Sequence, residues 1–249
     1  MSIAITLLIG AIVGFLSGLL GKGGSAITTP ALQIFAGVNP FIALASPLPA
    51  ALPTTISASI AYSKEKLINK KVVIGSVLLG IPATFLGSFF SDLLGGNMLM
   101  ILTAIFVLTL GLSFFFIHTH DEVAAANNVP LWKIAIVAVS VGFLSGLLAN
   151  SGGVLFGPLF IRFFKLPTKE ALANSLLVAA GLAIPGTIAH WYLGHINWMI
   201  VLVLSISSIP SSYFGARVAL RLRNLVLERI FGIMLVVFGT FDLWYSITH

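Results

Sequence analysis

The segment GFLSGLL occurs twice, at Gly14 to Leu20 and at Gly142 to Leu148, and the 128-residue offset between the copies holds along the chain. Ala43, Leu44 and Ala45 fall on Ala171, Leu172 and Ala173; Ile68 and Asn69 on Ile196 and Asn197; Ile81 and Pro82 on Ile209 and Pro210. Gly87 meets Gly215, and Gly111 meets Gly239. Drift between apolar segments of similar composition does not keep register through two prolines. A unit this long exceeds the repeats of soluble solenoids and marks a duplicated bundle. The chain is therefore expected to fold as two related units, residues 1–118 and 131–249, joined by a linker at 119–130.

Composition decides what surrounds the bundle. A chain that is 58% hydrophobic and 8% charged, with mean hydropathy +1.10, is no soluble domain, whose charged share is about a quarter. An all-α integral membrane protein is expected, its partner the lipid bilayer of the cell membrane. No cleavable signal peptide is visible, because the apolar N-terminus has no basic region before it. The absence of cysteine excludes a disulfide framework, thiol catalysis and thiolate metal sites. The net charge of +6 does not point to nucleic acid, since the lysines and arginines cluster in short connections, where they set orientation.

Apolar runs long enough to cross, about 20 residues each, lie at 41–62, 72–91, 98–117, 171–191, 198–216 and 230–247. Two segments remain: 3–20 with 26–37, and 131–148 with 154–165. Each pairs a longer helix with one of about a dozen residues, which reaches about 18 Å and falls short of the roughly 30 Å hydrocarbon core. Each pair reads as a broken or re-entrant hairpin.

Charge fixes the expected orientation. The loops holding Lys64, Lys66, Lys70 and Lys71, and Arg217, Arg221, Arg223 and Arg229, are the most basic and should be cytoplasmic. Their counterparts under the offset, 192–199 and 89–101, hold no lysine or arginine. The two units should therefore sit upside down relative to each other, each a hairpin plus three transmembrane helices. Both termini then lie outside the cytoplasm and the linker inside, and the cluster Arg162, Lys165, Lys169 falls inside as well.

The chemistry is expected where the leading helices break. Backbone freed from its helical ladder at membrane depth is tolerated only against protein or a watery cavity, and glycine permits close approach. The short helix after each break offers unpaired N–H groups and the positive end of its dipole, which favour an anion. Lys22 adds a full charge whose burial costs several kcal/mol or so unless compensated; the alternative is that it snorkels to an interface. The expected substrate-binding set is Lys22, Gly23, Gly24 and Ser25 in the first unit and Asn150, Ser151, Gly152 and Gly153 in the second. One small oxyanion would be held between the two breaks near mid-membrane. Ser46, Asn174 and Ser175 either shape selectivity or pack the bundle, and the glycines could equally serve close helix packing. His190 is a candidate proton relay, with a helix-end role as its alternative. Trp191, Tyr192 and Trp198 surround that loop as an interface belt would.

GKGGS is not a phosphate-binding loop, because Leu16 stands where the first glycine belongs and Gly23 where Ser or Thr should follow lysine. Paired acids, metal clusters and activated nucleophiles are lacking in the span interiors, so neither catalysis nor a cofactor is expected. A carrier, an anion channel and a membrane-embedded enzyme or assembly factor remain as classes, and a homo-oligomer is left open.

The stretches GLLGKGGSAITTPAL, GLLANSGGVLFGPLF and ALANSLLVAAGLAIPGTIAHWYLGHINW resemble the TauE/SafE sulfite exporter family, also called the TSUP family. The resemblance covers Ile3 to about Trp244 and implies secondary transport of small sulfur-containing anions such as sulfite, sulfoacetate or other organosulfonates. It does not fix direction. The second copy departs from the glycine-rich pattern at Asn150 and Ser151, and Pro47 stands where the second unit has Ser175.

Overall fold

The computed structural model describes residues 2–21, 25–94, 96–116, 129–148 and 153–248. Among them it forms α-helices and no strand: α1 (Ile3–Leu20), α2 (Ser25–Ala36), α3 (Pro40–Ala45), α4 (Pro47–Ser63), α5 (Lys70–Leu94), α6 (Gly96–Phe116), α7 (Leu131–Leu147), α8 (Gly153–Arg162), α9 (Thr168–Tyr192), α10 (Trp198–Arg221) and α11 (Asn224–Thr248). The 128-residue offset carries α1 onto α7, α2 onto α8, α3 with α4 onto α9, α5 onto α10 and α6 onto α11. It extends to backbone conformation. Gly37 and Lys165 are both left-handed, at φ 61° and 57°, as are Lys66 and Gly194, at 54° and 74°.

Among the described residues, six apolar segments are long enough to cross a membrane: Ile3–Leu20, Pro40–Ser63, Lys70–Ser91, Thr168–Tyr192, Trp198–Arg221 and Asn224–Phe241. They differ from the expected set in two places: the expected 98–117 is not among them, and α1 is, its 18 residues reaching about 27 Å, almost the full core. The short partners behave as expected. At 12 and 10 residues, α2 and α8 reach only about 18 and 15 Å. Each folds back along its leading helix. Thr28 shares a cavity with Gly10 and Gly14, and Leu32 packs with Ile9; Phe163, just beyond α8, meets Trp132 near the start of α7, ring centroids 6.2 Å apart.

Each leading helix packs on the other unit through small residues. In α1, glycines at four-residue spacing lie along α10: Gly10 faces Leu204, Gly14 faces Ser208 and Gly18 faces Ser212. In α7, Gly142 faces Gly80 and Gly146 faces Thr84 of α5, the same pairs moved by the offset. The numbering rises together on both partners, so α1 runs parallel to α10 and α7 parallel to α5. A β-carbon at Gly142 would stand 2.7 Å from the Gly80 carbonyl oxygen; only glycine lets the backbones approach this closely, which is where membrane helices gain their van der Waals contact. Gly111 and Gly239 do the same for the α6–α11 pair.

The antiparallel pair of α4 and α9 forms the centre, with 67% and 72% of their spans buried. Outward faces carry exposed apolar side chains such as Leu78, Leu86, Ile206 and Phe214, as a lipid-facing surface requires. Asn174 near the start of α9 bonds Leu67 and Asn69, and Lys169 Nζ donates to the Leu220 carbonyl at 2.8 Å. The α4–α5 turn, the α10–α11 turn and the start of α9, with all three basic clusters, therefore share one end of the bundle.

Hydrogen bonds within each unit repeat with the same offset. The Tyr62 hydroxyl donates to the Gly18 carbonyl at 3.1 Å, and His190 Nε2 lies 3.3 Å from the Gly146 carbonyl. Both ring-bearing residues are buried and occupy equivalent positions. Tyr62→Phe should cost about 1 kcal/mol, read as a fall of roughly 3 °C in melting temperature; an unchanged melting temperature would mean the bond contributes nothing.

Candidate functional site

The two helix breaks were the expected site, and the structure describes their flanks. Lys22, Gly23, Gly24, Asn150, Ser151 and Gly152 lie outside the described residues. Gly21 closes α1 in the left-handed conformation, φ 65°, with its N–H on the Ser17 carbonyl. Its own carbonyl accepts from Ser175 Oγ at 2.5 Å, and Leu172 packs against it. Ser25 then opens α2. In the second unit Leu148 closes the leading helix among Leu44, Ala45 and Leu48, and Gly153 opens α8.

These flanks do not face each other across one pocket. Leu172 and Ser175 lie near the start of α9, and Leu44 to Leu48 near the start of the α3–α4 helix. Because α4 and α9 are antiparallel, Gly21 and Leu148 dock at opposite ends of the central pair. The reason is length: leading helices of 18 and 17 residues carry their own C-terminal ends about 26 Å along the bundle.

Ser46, Asn174 and Ser175 are fully buried and engaged with backbone. Ser46 Oγ accepts the Asn197 N–H at 3.0 Å, and Asn174 Oδ1 accepts the Asn69 N–H at 2.7 Å. The two bonds are equivalent under the offset, and they tie the starts of α10 and α5 to the other unit. Asn69 and Asn197 in turn cap those helices with their own side chains. Asn174 Nδ2 also donates to the Leu67 and Glu170 carbonyls. The Ser175 proton is shared between the Gly21 and Leu172 carbonyls.

His190 is buried, and its Nδ1 lies 3.2 Å from His195 Nδ1. Since a carbonyl only accepts, the contact with Gly146 places a proton on Nε2, so neutral His190 accepts at Nδ1 from His195. His195 stacks on Phe41, centroids 4.4 Å apart. A hydrogen-bonded histidine pair thus sits beside the end of α7.

Sequence reasoning passed over one feature. A small cavity at mid-bundle is lined by Gly14, Thr28, Ala50, Thr54 and Ser208 among others. The signal was legible as an asymmetry of the repeat, because Thr54 and Thr28 stand where the second unit has Leu182 and Phe156.

Apolar helices of membrane length, wrapped around a buried, glycine-packed centre, define an integral multi-pass membrane protein. The chain belongs to the TauE/SafE family: residues 6–241 match the family described as "Sulfite exporter TauE/SafE". Its relatives include the probable membrane transporter protein YunE of Bacillus subtilis, 26% identical over 96% of both chains. A probable membrane transporter protein of Xylella fastidiosa is 28% identical over 98% of this chain and 96% of its own. The probable membrane transporter protein YfcA of Escherichia coli is 26% identical over 84% of this chain and 77% of its own.

Proposed function

We propose that the chain is a secondary transporter, not an enzyme, that moves a small sulfur-containing anion such as sulfite, sulfoacetate or another organosulfonate by alternating access. The observation that carries this reading is the pair of short hairpins docked at opposite ends of the α4–α9 pair, in a chain of the sulfite exporter family. Discontinuous helices at substrate sites are the usual device of such carriers, because their freed N–H groups point at anionic groups.

Lys22, with the N–H groups of Gly23, Gly24 and Ser25, would receive the anion at one end. Asn150, with those of Ser151, Gly152 and Gly153, would receive it at the other. Ser46, Asn174 and Ser175 hold the frame against which each tip closes, so their effect on selectivity is through position. His190 with His195 supplies a candidate proton site at the second end. The units are read as inverted, which the antiparallel packing of α4 on its counterpart α9 supports. Since the three basic clusters share one end, that end is assigned to the cytoplasm and both termini to the opposite side.

The test is flux of sulfite and of organosulfonates into proteoliposomes, comparing the wild type with Lys22→Ala. Saturable uptake with trans-stimulation is expected, and Lys22→Ala should raise KM at least about tenfold, the worth of one charge-assisted contact. An unchanged KM would remove Lys22 from the site; ohmic currents would make the protein a channel.

A further inference from the structure

Beyond the anion reading, we infer that the mid-bundle cavity between α1, α2 and α4 of the first unit and α10 of the second is a Na+ site, formed by the hydroxyls of Thr54, Ser208 and Thr28, and that the equivalent place between α7, α8, α9 and α5 has no counterpart. The cavity lies among α1, α2, α4 and α10 and measures about 20 Å³, room for one water-sized body. A sulfonate head, one sulfur with three oxygens, does not fit; a dehydrated Na+ does.

The proton count decides the sign of the ligand. Thr54 Oγ1 donates to the Ala50 carbonyl at 2.7 Å and lies 2.5 Å from Ser208 Oγ. A hydroxyl has one proton, so with that of Thr54 committed to the carbonyl, Ser208 donates to Thr54. Both protons are then used, and the pair turns oxygen lone pairs to the cavity. Lone pairs serve a hard cation and repel an anion. None of the lining side chains carries a charge that would oppose the ion.

Pro47 lines the cavity, and the helix around it is rich in proline. Pro47, Pro49 and Pro53 have no N–H to give to the carbonyls of Ala43, Ala45 and Pro49 one turn back. Na+ sites of carriers use such freed carbonyls near the bilayer midplane. Gly14, Thr54 and Ser208 each fall in the middle third of their helices.

The second unit shows the same geometry with the oxygens removed. Leu182 lies against Gly80 as Thr54 lies against Ser208. Phe156, Val178 and Leu182, at the places of Thr28, Ala50 and Thr54, are fully buried in one apolar cluster. Positions 175, 177 and 181 are Ser, Leu and Gly, which keep their N–H groups. One cation per chain follows, held on one side of an otherwise duplicated framework.

The test needs no anion, so its result is separate from that of the transport assay. Purified protein is melted in detergent while NaCl replaces choline chloride at constant ionic strength. The wild type should show a saturable rise of roughly 3 °C or more, and Thr54→Val and Ser208→Ala should each lose most of it, while Thr54→Ser keeps it. Equilibrium binding of radioactive Na+ to the wild type should give one ion per chain, which decides the matter even if a variant fails to fold. No Na+-specific rise in the wild type, an undiminished rise in both variants, or a stoichiometry of two would overturn the site.

Discussion

Gly18→Leu should abolish the folded protein or lower its melting temperature by roughly 10 °C or more, the largest effect of any single change here. A β-carbon at Gly18 would land on the Ser212 carbonyl oxygen of α10 and 2.8 Å from the Ala216 nitrogen. Both are backbone atoms of a helix, so nothing flexible can yield and α1 must move away from α10. Overpacking of this kind costs about 1–3 kcal/mol and occasionally more, and separating the helices also forfeits the close contacts along Gly10 and Gly14. At about 2–4 °C per kcal/mol for a chain of this size, a loss of 3–5 kcal/mol gives the stated fall. Gly146→Leu should match it, since its β-carbon would meet the Thr84 carbonyl oxygen in the equivalent place. Gly186→Ala is the control. Its nearest neighbour would be Leu48 Cδ1 at 3.5 Å, an ordinary contact, and alanine is worth up to about 1 kcal/mol over glycine inside a helix. Thermal melting in detergent that ranked Gly18→Leu with Gly186→Ala would show that the parallel α1–α10 contact does not hold the units together.

Asn174→Ala should destabilise by about 2–4 kcal/mol, against about 1 kcal/mol for Ser46→Ala, although the two residues are equivalent under the repeat. Ser46 accepts one N–H and leaves one donor wanting when removed. Asn174 accepts the Asn69 N–H and donates to two carbonyls; the Glu170 carbonyl keeps its bond within the helix, so the loss of Asn174 strands two backbone groups, the Asn69 N–H and the Leu67 carbonyl, in a part-buried place. Each stranded group costs about 1–3 kcal/mol before relaxation, and hydrogen bonds between membrane helices average nearer 0.6 kcal/mol; the range quoted lies between these limits. Hydrogen exchange at the Asn69 amide should quicken in the variant. Equal melting temperatures for the two alanine variants would deny Asn174 its role as the tie between the α4–α5 turn and α9.

Both predictions rest on contacts between units, and there the sequence reading is uneven. The short helices α2 and α8 were legible because a dozen apolar residues cannot cross a bilayer. Each leading helix is expected as the longer arm of a broken or re-entrant hairpin, and its length of 18 or 17 residues is what carries its end to one end of the α4–α9 pair. Ser46 and Asn174 were picked as buried polar groups with packing or a ligand as alternatives. Their geometry supplies the packing partners, backbone N–H groups 151 and 105 residues away, which no local pattern could reveal. His190 was visible as a lone titratable residue, whereas its likeness to Tyr62 appears only when both rings are seen reaching equivalent glycine carbonyls.

What the residues settle unaided is class and plan. A mean hydropathy of +1.10 leaves only a membrane as solvent, and a fixed offset of identical glycines and prolines imposes two copies of one helical unit, because periodicity and transfer free energy act locally along the chain. Which faces meet is another kind of fact. The pairing of α1 with α10, the separation of the two breaks and the closing of Thr54 on Ser208 join positions far apart in sequence. They are chosen by shape complementarity between whole helices, summed over many weak contacts, and that sum exists only in the folded bundle.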